Sequence, residues 1–124
     1  MHFGVTMFGT DEAMRPDELA RAAEERGFVS LYVPEHTHIP VGRRTPPPTG
    51  DGALPEYYAR SLDPFIALTM AAAATDRLRV GTGICLVAQR DPIVTAKAVA
   101  SLDRLDDGRC FRRLDDDEIA GLLT

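Results

Sequence analysis

Three times in succession, a short apolar stretch rich in β-branched residues stands ahead of a segment that begins as a helix should. Residues 2–8 (HFGVTMF) precede Arg15-Pro16-Asp17-Glu18, residues 28–33 (FVSLYV) come before Asp63-Pro64, and residues 77–87 (RLRVGTGICLV) lead to Asp91-Pro92. Proline suits the first helical turn, where its missing N–H would have no partner anyway, and acidic residues there complement the positive end of the helix dipole. Gly27 and Gly108 fall where the first and third helices should stop. Leu19, Ala22, Ala23 and Arg26 recur at helical spacing and predict one packed face, with the stem of Arg26 lying along it. A strand–helix order repeated in this way argues for an α/β fold, a parallel sheet built from βα units in sequence.

Two stretches break the rhythm. Residues 37–60 are rich in proline and glycine, which excludes a packed helix or a central strand and leaves either a loose connector or a functional lid. After Gly108 a fourth buried parallel strand should follow as a nearly continuous apolar run. The chain instead reads RCFRRLDDDEIAGLLT, with Arg112, Arg113 and acids at every position from 115 to 118. Burying those charges would cost several kcal/mol each. From Asp115 the pattern predicts a short helix carrying Ile119, Leu122 and Leu123. We therefore divide the chain into a βα domain, residues 1–109, and an atypical tail, residues 110–124.

Composition narrows the functional classes. Fourteen Lys and Arg against nineteen Asp and Glu give a net charge of −5, which does not support a nucleic-acid footprint. The longest apolar run, IALTMAAAA at 66–74, is too short to span a bilayer. The opening residues lack a basic start and a sustained apolar stretch, so no secretory signal is expected and a reducing, cytoplasmic setting is. Cys85 and Cys110 follow no metal or redox spacing.

Chemistry concentrates in VPEHTHIP, residues 33–40, directly after the second strand. His36 and His38 alternate on an extended chain and so share a face, but two ligands do not make a metal site and no third or fourth is offered at suitable spacing. An acid/base reading fits the position better: in parallel α/β folds ligands bind at the carboxyl ends of strands, and a histidine there titrates near neutrality beside an orienting carboxylate. A histidine hydrogen-bonded to loop backbone is the plain alternative. Gly81 and Gly83, inside the third strand, imply either a bulge or the close approach of a ligand. The Gly-x-x-x-x-Gly-Lys spacing of a phosphate loop is absent.

The stretches FGVTMF, RPDELARAAEERGF, LYVPEHTHIP, RVGTGICLVAQRDPIVTAKAVASLDRL and DGR, in this order, resemble the N-terminal part of the luciferase-like monooxygenase superfamily, especially its deazaflavin-dependent oxidoreductases. The family's Asp-x-Leu-Ser-x-Gly-Arg signature reads here Asp103-Arg104-Leu105-Asp106-Asp107-Gly108-Arg109, with Asp106 where Ser is usual. The resemblance implies the first three βα units of a TIM-type (β/α)8 barrel that binds the deazaflavin coenzyme F420, or alternatively FMN, at its strand ends. It implies that His36 and Glu35 form the catalytic acid/base pair while hydride passes between the cofactor and a small-molecule substrate. It further implies that Thr82, Gly83 and Ile84 back the cofactor ring through a bulge with a cis peptide, that Met7 and Phe8 line the pocket, and that His38 belongs to the lid. A complete barrel of this kind takes about 250 residues. The expectation for this chain is a truncated or frameshifted fragment with little activity alone. The alternative is a non-catalytic remnant, or a self-associating βα module whose copies cover the open sheet edges. No nucleic-acid, membrane or metal partner is expected.

Overall fold

The computed structural model describes residues 1–42, 52 and 54–110. The tail expected from residue 110 onward lies outside the described residues, apart from Cys110 itself. In order along the chain come β1 (Gly4–Thr6), α1 (Pro16–Glu25), β2 (Ser30–Val33), a 3-10 turn (Glu56–Tyr58), α2 (Pro64–Ala73), β3 (Arg79–Thr82), a second 3-10 turn (Val87–Gln89) and α3 (Pro92–Leu105). The strands form one parallel sheet in the order β1-β2-β3. Val5, Leu31 and Val80 lie level across it. The α/β architecture anticipated from the strand–helix rhythm is thus present as three consecutive βα units.

Alternation along the strands sorts their side chains to two faces. Leu31, Val33 and Val80 are buried with Ala20 and Ala23 of α1 and with Phe65, Leu68, Ala71 and Ala72 of α2. Small alanines bring α1 and α2 close to the sheet and leave Leu31, Leu68 and Leu78 as the largest fully enclosed side chains. The opposite face of the sheet carries Tyr32, which is 44 % exposed. Its ring lies across Gly81, where an added Cβ would stand 3.0 Å from the ring. That contact accounts for one of the two glycines of the 77–87 run. The other, Gly83, belongs to the site.

The helix boundaries follow their local chemistry. Asp63 caps α2 by accepting from the amides of Phe65 (2.9 Å) and Ile66 (3.2 Å), and Asp91 caps α3 by accepting from Val94 N at 2.8 Å. Gly27, at φ +81°, turns the chain out of α1. Arg26 departs from expectation: it is exposed beyond the last turn and donates to the Ala22 carbonyl at 2.9 Å, while Ala20 joins Ala23 on the packed face. A C-terminal carbonyl is a better partner for a guanidinium than an alanine-lined seam. β3 also ends sooner than the apolar run suggests, at Thr82.

Two side chains fasten the end of the domain where the strands begin. Glu24 accepts from the amides of Arg77 (2.6 Å) and Leu78 (2.8 Å), holding the α2–β3 turn onto α1. Arg109 donates to the carbonyls of Ala72 (3.1 Å) and Leu78 (3.3 Å) and to the Thr75 hydroxyl, tying the close of α3 to α2 and β3. Asp106 is 2 % exposed and accepts from Arg109 N at 3.0 Å, but its Oδ2 has no partner among the described residues. Among the described residues no helix is long and apolar enough to cross a membrane.

Leu68 and Ile66 test the packing on one helix. Leu68 is fully buried and Ile66 is 72 % exposed. Leu68→Ala should cost about 2–5 kcal/mol in urea denaturation, and Ile66→Ala at most about 0.5 kcal/mol. Equal losses would place the core elsewhere.

Asp106 gives a pH-dependent expectation. Burial pushes its carboxyl above the ordinary value of 3.8. A carboxyl raised in the folded state contributes stability in acid below 3.8, and that contribution is lost as the pH rises through the folded-state value. Asp106→Ser should therefore raise the urea midpoint at neutral pH and give no gain in acid. A lower midpoint at neutral pH would show that the carboxylate's bond to Arg109 N outweighs its burial.

Candidate functional site

The carboxyl ends of the three strands bring the expected residues to one place. Met7 and Phe8 follow β1, Glu35 and His36 follow β2, and Gly83 and Ile84 follow β3. The parallel ladder continues just past its ends: Met7 N donates to Tyr32 O at 3.2 Å and Gly83 N to Val33 O at 2.8 Å. The Gly83–Ile84 peptide bond is cis, the conformation that the resemblance implies there. Ile84 is 76 % exposed. Thr82 shares the helix-facing side of the sheet with Val80, so only its backbone faces the site.

Glu35 occupies a different position from the one its neighbour in sequence suggests. Its carboxylate is 3 % exposed and is engaged across the chain rather than with the His36 ring. Oε1 accepts from Arg90 Nε at 2.5 Å and from the Thr37 hydroxyl at 3.3 Å, and Oε2 accepts from Leu86 N at 2.7 Å. Arg90 also donates to Asp63 Oδ2 at 2.8 Å and lies over the Phe65 ring, 4.6 Å from its centre. One buried carboxylate and one guanidinium thus join the end of β2, the loop after β3 and the capped start of α2. A buried carboxylate needs such partners, since an unpaired one would be severely desolvated.

His36 stands among aromatic rings. It stacks near-parallel to Phe8 at 5.6 Å and meets the edge of Tyr58 at 4.6 Å. Phe8 in turn contacts Tyr57 (4.7 Å) and Tyr58 (4.9 Å). Desolvation lowers the His36 pKa below 6.5, against the opposing charge of Glu35. The ring is therefore mainly neutral at physiological pH, with one nitrogen able to donate and the other to accept. Ser61 Oγ donates to the His36 carbonyl at 3.2 Å, and a cleft of about 90 Å³ opens beside Glu35, His36, Ser61 and Asp63.

The tyrosines arrive from the segment read as a connector or lid. Its returning part is fixed by Leu62 N donating to Gly9 O at 2.8 Å and by an antiparallel bridge between Thr10 and Ser61. Arg60 grips Asp11 at 2.8 and 2.6 Å and reaches Glu12 at 2.8 Å. His38 is exposed and stands outside the aromatic group. Among the described residues no three His, Cys, Asp or Glu side chains gather as a metal site would require.

The other reactive groups are engaged or quiet. Burial pushes the Cys85 thiol up, with Glu35 adding to the effect, and raises Cys110 to about 12, so neither is an activated thiolate. A hollow of about 350 Å³ near His2, Glu24 and Arg79 lies at the opposite end of the strands, and the Glu24 carboxylate there already serves the loop amides. Sequence reading missed Arg90, Tyr57 and Tyr58. The available signals were an arginine directly ahead of a helix cap and an adjacent aromatic pair in an otherwise proline- and glycine-rich stretch.

The model of the luciferase-like monooxygenase family matches residues 4–112. The chain belongs to this family. An uncharacterized protein of Mycobacterium tuberculosis, Rv0953c, is 48 % identical over 111 residues, covering 88 % of this chain and 39 % of the relative. The family likeness extends at 23 % identity to a 5,10-methylenetetrahydromethanopterin reductase of Methanolobus tindarius, covering 90 % of this chain and 27 % of that protein. Among solved structures, the monooxygenase RslO1 from Streptomyces bottropensis superposes with a TM-score of 0.67 at 28 % identity, over 100 % of this chain and 37 % of that one. A riboflavin lyase, RcaE, shares the fold at a TM-score of 0.64 and 20 % identity, over 87 % of this chain and 28 % of its own. The chain thus spans about two fifths of the length of the family member from M. tuberculosis. Its three βα units form an incomplete, N-terminal part of the family's (β/α)8 barrel.

The Glu35–Arg90 pair can be tested by breaking it. Arg90→Met should cost about 3–5 kcal/mol in urea denaturation, because Glu35 is left buried without its cation. Glu35→Leu combined with Arg90→Met should recover much of that loss. If the double variant is as unstable as the sum of the two singles, the pair is not coupled.

Proposed function

We propose that these residues form the ring-binding and proton-handling part of a flavin- or deazaflavin-dependent oxidoreductase acting on a small organic molecule. The observation that carries this reading is the His36 ring, packed against both Phe8 and Tyr58 at the strand ends where the cis Gly83–Ile84 peptide follows β3. The exposed Ile84 and the backbone of Gly83, at the same end of the sheet as Met7 and Phe8, would offer apolar contact to a planar ring system. The deazaflavin F420 is our preferred cofactor, with FMN as the alternative; this rests on the motif resemblance of Glu35-His36 and GTGICLVAQRDP. The likeness to a 5,10-methylenetetrahydromethanopterin reductase and to the monooxygenase RslO1 supports the oxidoreductase class.

When bound, the cofactor would supply or accept a hydride. The chain's own part is to place and protonate. Met7, Phe8 and Ile84 give apolar contact and exclude water. His36, as a neutral imidazole, can give a proton to the substrate atom that gains electron density as hydride arrives, or take one in the reverse direction. Glu35 acts through position: its bonds to Leu86 N and Arg90 fix the His36 backbone relative to Gly83–Ile84. The acid/base partnership of Glu35 with His36 is in this reading electrostatic, without a direct hydrogen bond.

In a full-length protein carrying these residues, His36→Ala should lower the turnover rate by ~10²–10⁴-fold while cofactor affinity changes little. For the present chain alone we propose weak cofactor binding and no sustained turnover, since β1 and β3 leave both sheet edges unpaired among the described residues. Titration with oxidised and reduced deazaflavin, followed by a turnover assay, tests both statements. Tight stoichiometric binding with multiple turnovers by the chain alone would overturn the second. An unchanged rate in the full-length His36→Ala protein would overturn the first.

A further inference from the structure

Tyr57 and Tyr58 take no part in the proton chemistry described above, yet the fold holds them against it. The 3-10 turn that carries them is anchored on both sides of the reactive end: Arg60 reaches Asp11 and Glu12 after β1, and Ser61 reaches the His36 carbonyl after β2. Tyr57 keeps 42 % of its surface exposed while contacting Phe8 and stacking near-parallel on Tyr58 at 4.9 Å. An open hollow of about 350 Å³ lies along Met7, Phe8, Thr10, Ala13 and Tyr57, with Glu12, held by Arg60, at its edge. A packed cluster that reaches a histidine through Phe8 and leaves part of Tyr57 exposed is a place for another ring.

The charges around it restrict what that ring can be. Both guanidiniums bordering the cluster are occupied, Arg60 by Asp11, Glu12 and Glu56, and Arg90 by Glu35 and Asp63. Among the described residues an anion would find no unengaged cation there and would meet an excess of carboxylate at the rim. A cation would find those rim carboxylates in water, 61 %, 71 % and 82 % exposed, where salt screens them. The buried carboxylate next to the cluster, Glu35, is closed off by Arg90 and Leu86 N. Either charged ligand would lose hydration against the rings without a buried partner.

We infer that Phe8, Tyr57 and Tyr58 form the substrate-facing wall of the site and select an uncharged, planar ring compound, stacked on the open face of Tyr57 within reach of His36. This rests on the oxidoreductase reading above and names its substrate class. A planar ring gains offset or edge-to-face contact with the tyrosines, which a saturated ring of the same size forgoes.

The test uses the whole chain and does not need turnover. The ring C–H signal of His36, identified by its loss in His36→Asn, is followed by NMR during titration with para-cresol. Para-toluate, para-methylbenzylamine and the saturated analogue para-methylcyclohexanol serve as the anionic, cationic and non-planar probes. Para-cresol should shift the signal saturably and bind more tightly than all three. Tyr57→Leu/Tyr58→Leu should weaken it by about two- to tenfold, the range of one lost aromatic pair, whereas Tyr57→Phe/Tyr58→Phe should retain it. Tyr57→Leu alone, at an exposed position, makes the same test if the double variant does not fold. Equal or tighter binding of either charged probe or of the saturated alcohol would overturn the inference, as would unchanged para-cresol binding in the leucine variants. Deazaflavin titration followed by absorbance reports separately on the cofactor. Absent cofactor binding to a full-length protein carrying these residues, with intact para-cresol selectivity, would count against the redox reading and still support the wall.

Discussion

The reactive end of this domain depends on the pairing of Glu35 with Arg90. A carboxylate that is 3 % exposed at the end of a strand is tolerable only if its charge and lone pairs are satisfied. The chain satisfies them with groups 51 and 55 residues away, Leu86 N and Arg90 Nε. That demand has structural consequences. It ties Leu86, beyond the end of β3 at Thr82, to the end of β2. It brings Arg90 to Asp63, coupling the start of α2 to the same point. Three separate loops are held by one ion pair and its hydrogen bonds, and His36 is the next residue along from its centre.

The parts of this arrangement that sequence could disclose are the local ones. Asp-Pro helix starts, a glycine at each of two helix stops and β-branched runs act within a few residues, and they predict three helices and three parallel strands in order. The strand-end position of Glu35-His36 was legible for the same reason. The role of Glu35 was not, because its partners are chosen by tertiary approach; adjacency in sequence suggested His36, and alternation along an extended chain carries adjacent side chains apart. Tyr57 and Tyr58 were hidden by their surroundings. Proline and glycine on either side describe a segment without regular structure, and nothing local states that Arg60 will fasten it to Asp11. Of the strand glycines, Gly81 proves to be explained by the Tyr32 ring across the ladder, a contact that only the register creates.

The two ends of the sheet solve their electrostatics differently. Where the strands begin, Glu24 and Arg109 each address backbone groups, amides in one case and carbonyls in the other, and so close turns. Where the strands end, the charges address one another, Arg60 with its carboxylates and Arg90 with Glu35 and Asp63. In α/β barrels the first end serves stability and the second serves chemistry, and this difference in partners follows that division.

Mutual neutralisation at the strand ends also sets the state of His36. Glu35 is the nearest negative charge in sequence and would by itself favour an imidazolium. With its oxygens turned to Arg90 and Leu86 N, its influence on the ring is smaller than the desolvation imposed by the surrounding aromatic rings, and the His36 pKa falls rather than rises. The same ion pair that organises the loops therefore leaves the histidine neutral, and a neutral imidazole is the form that can both donate and accept a proton. Position and protonation state at this site have one physical origin: the carboxylate buried beside His36 is committed elsewhere.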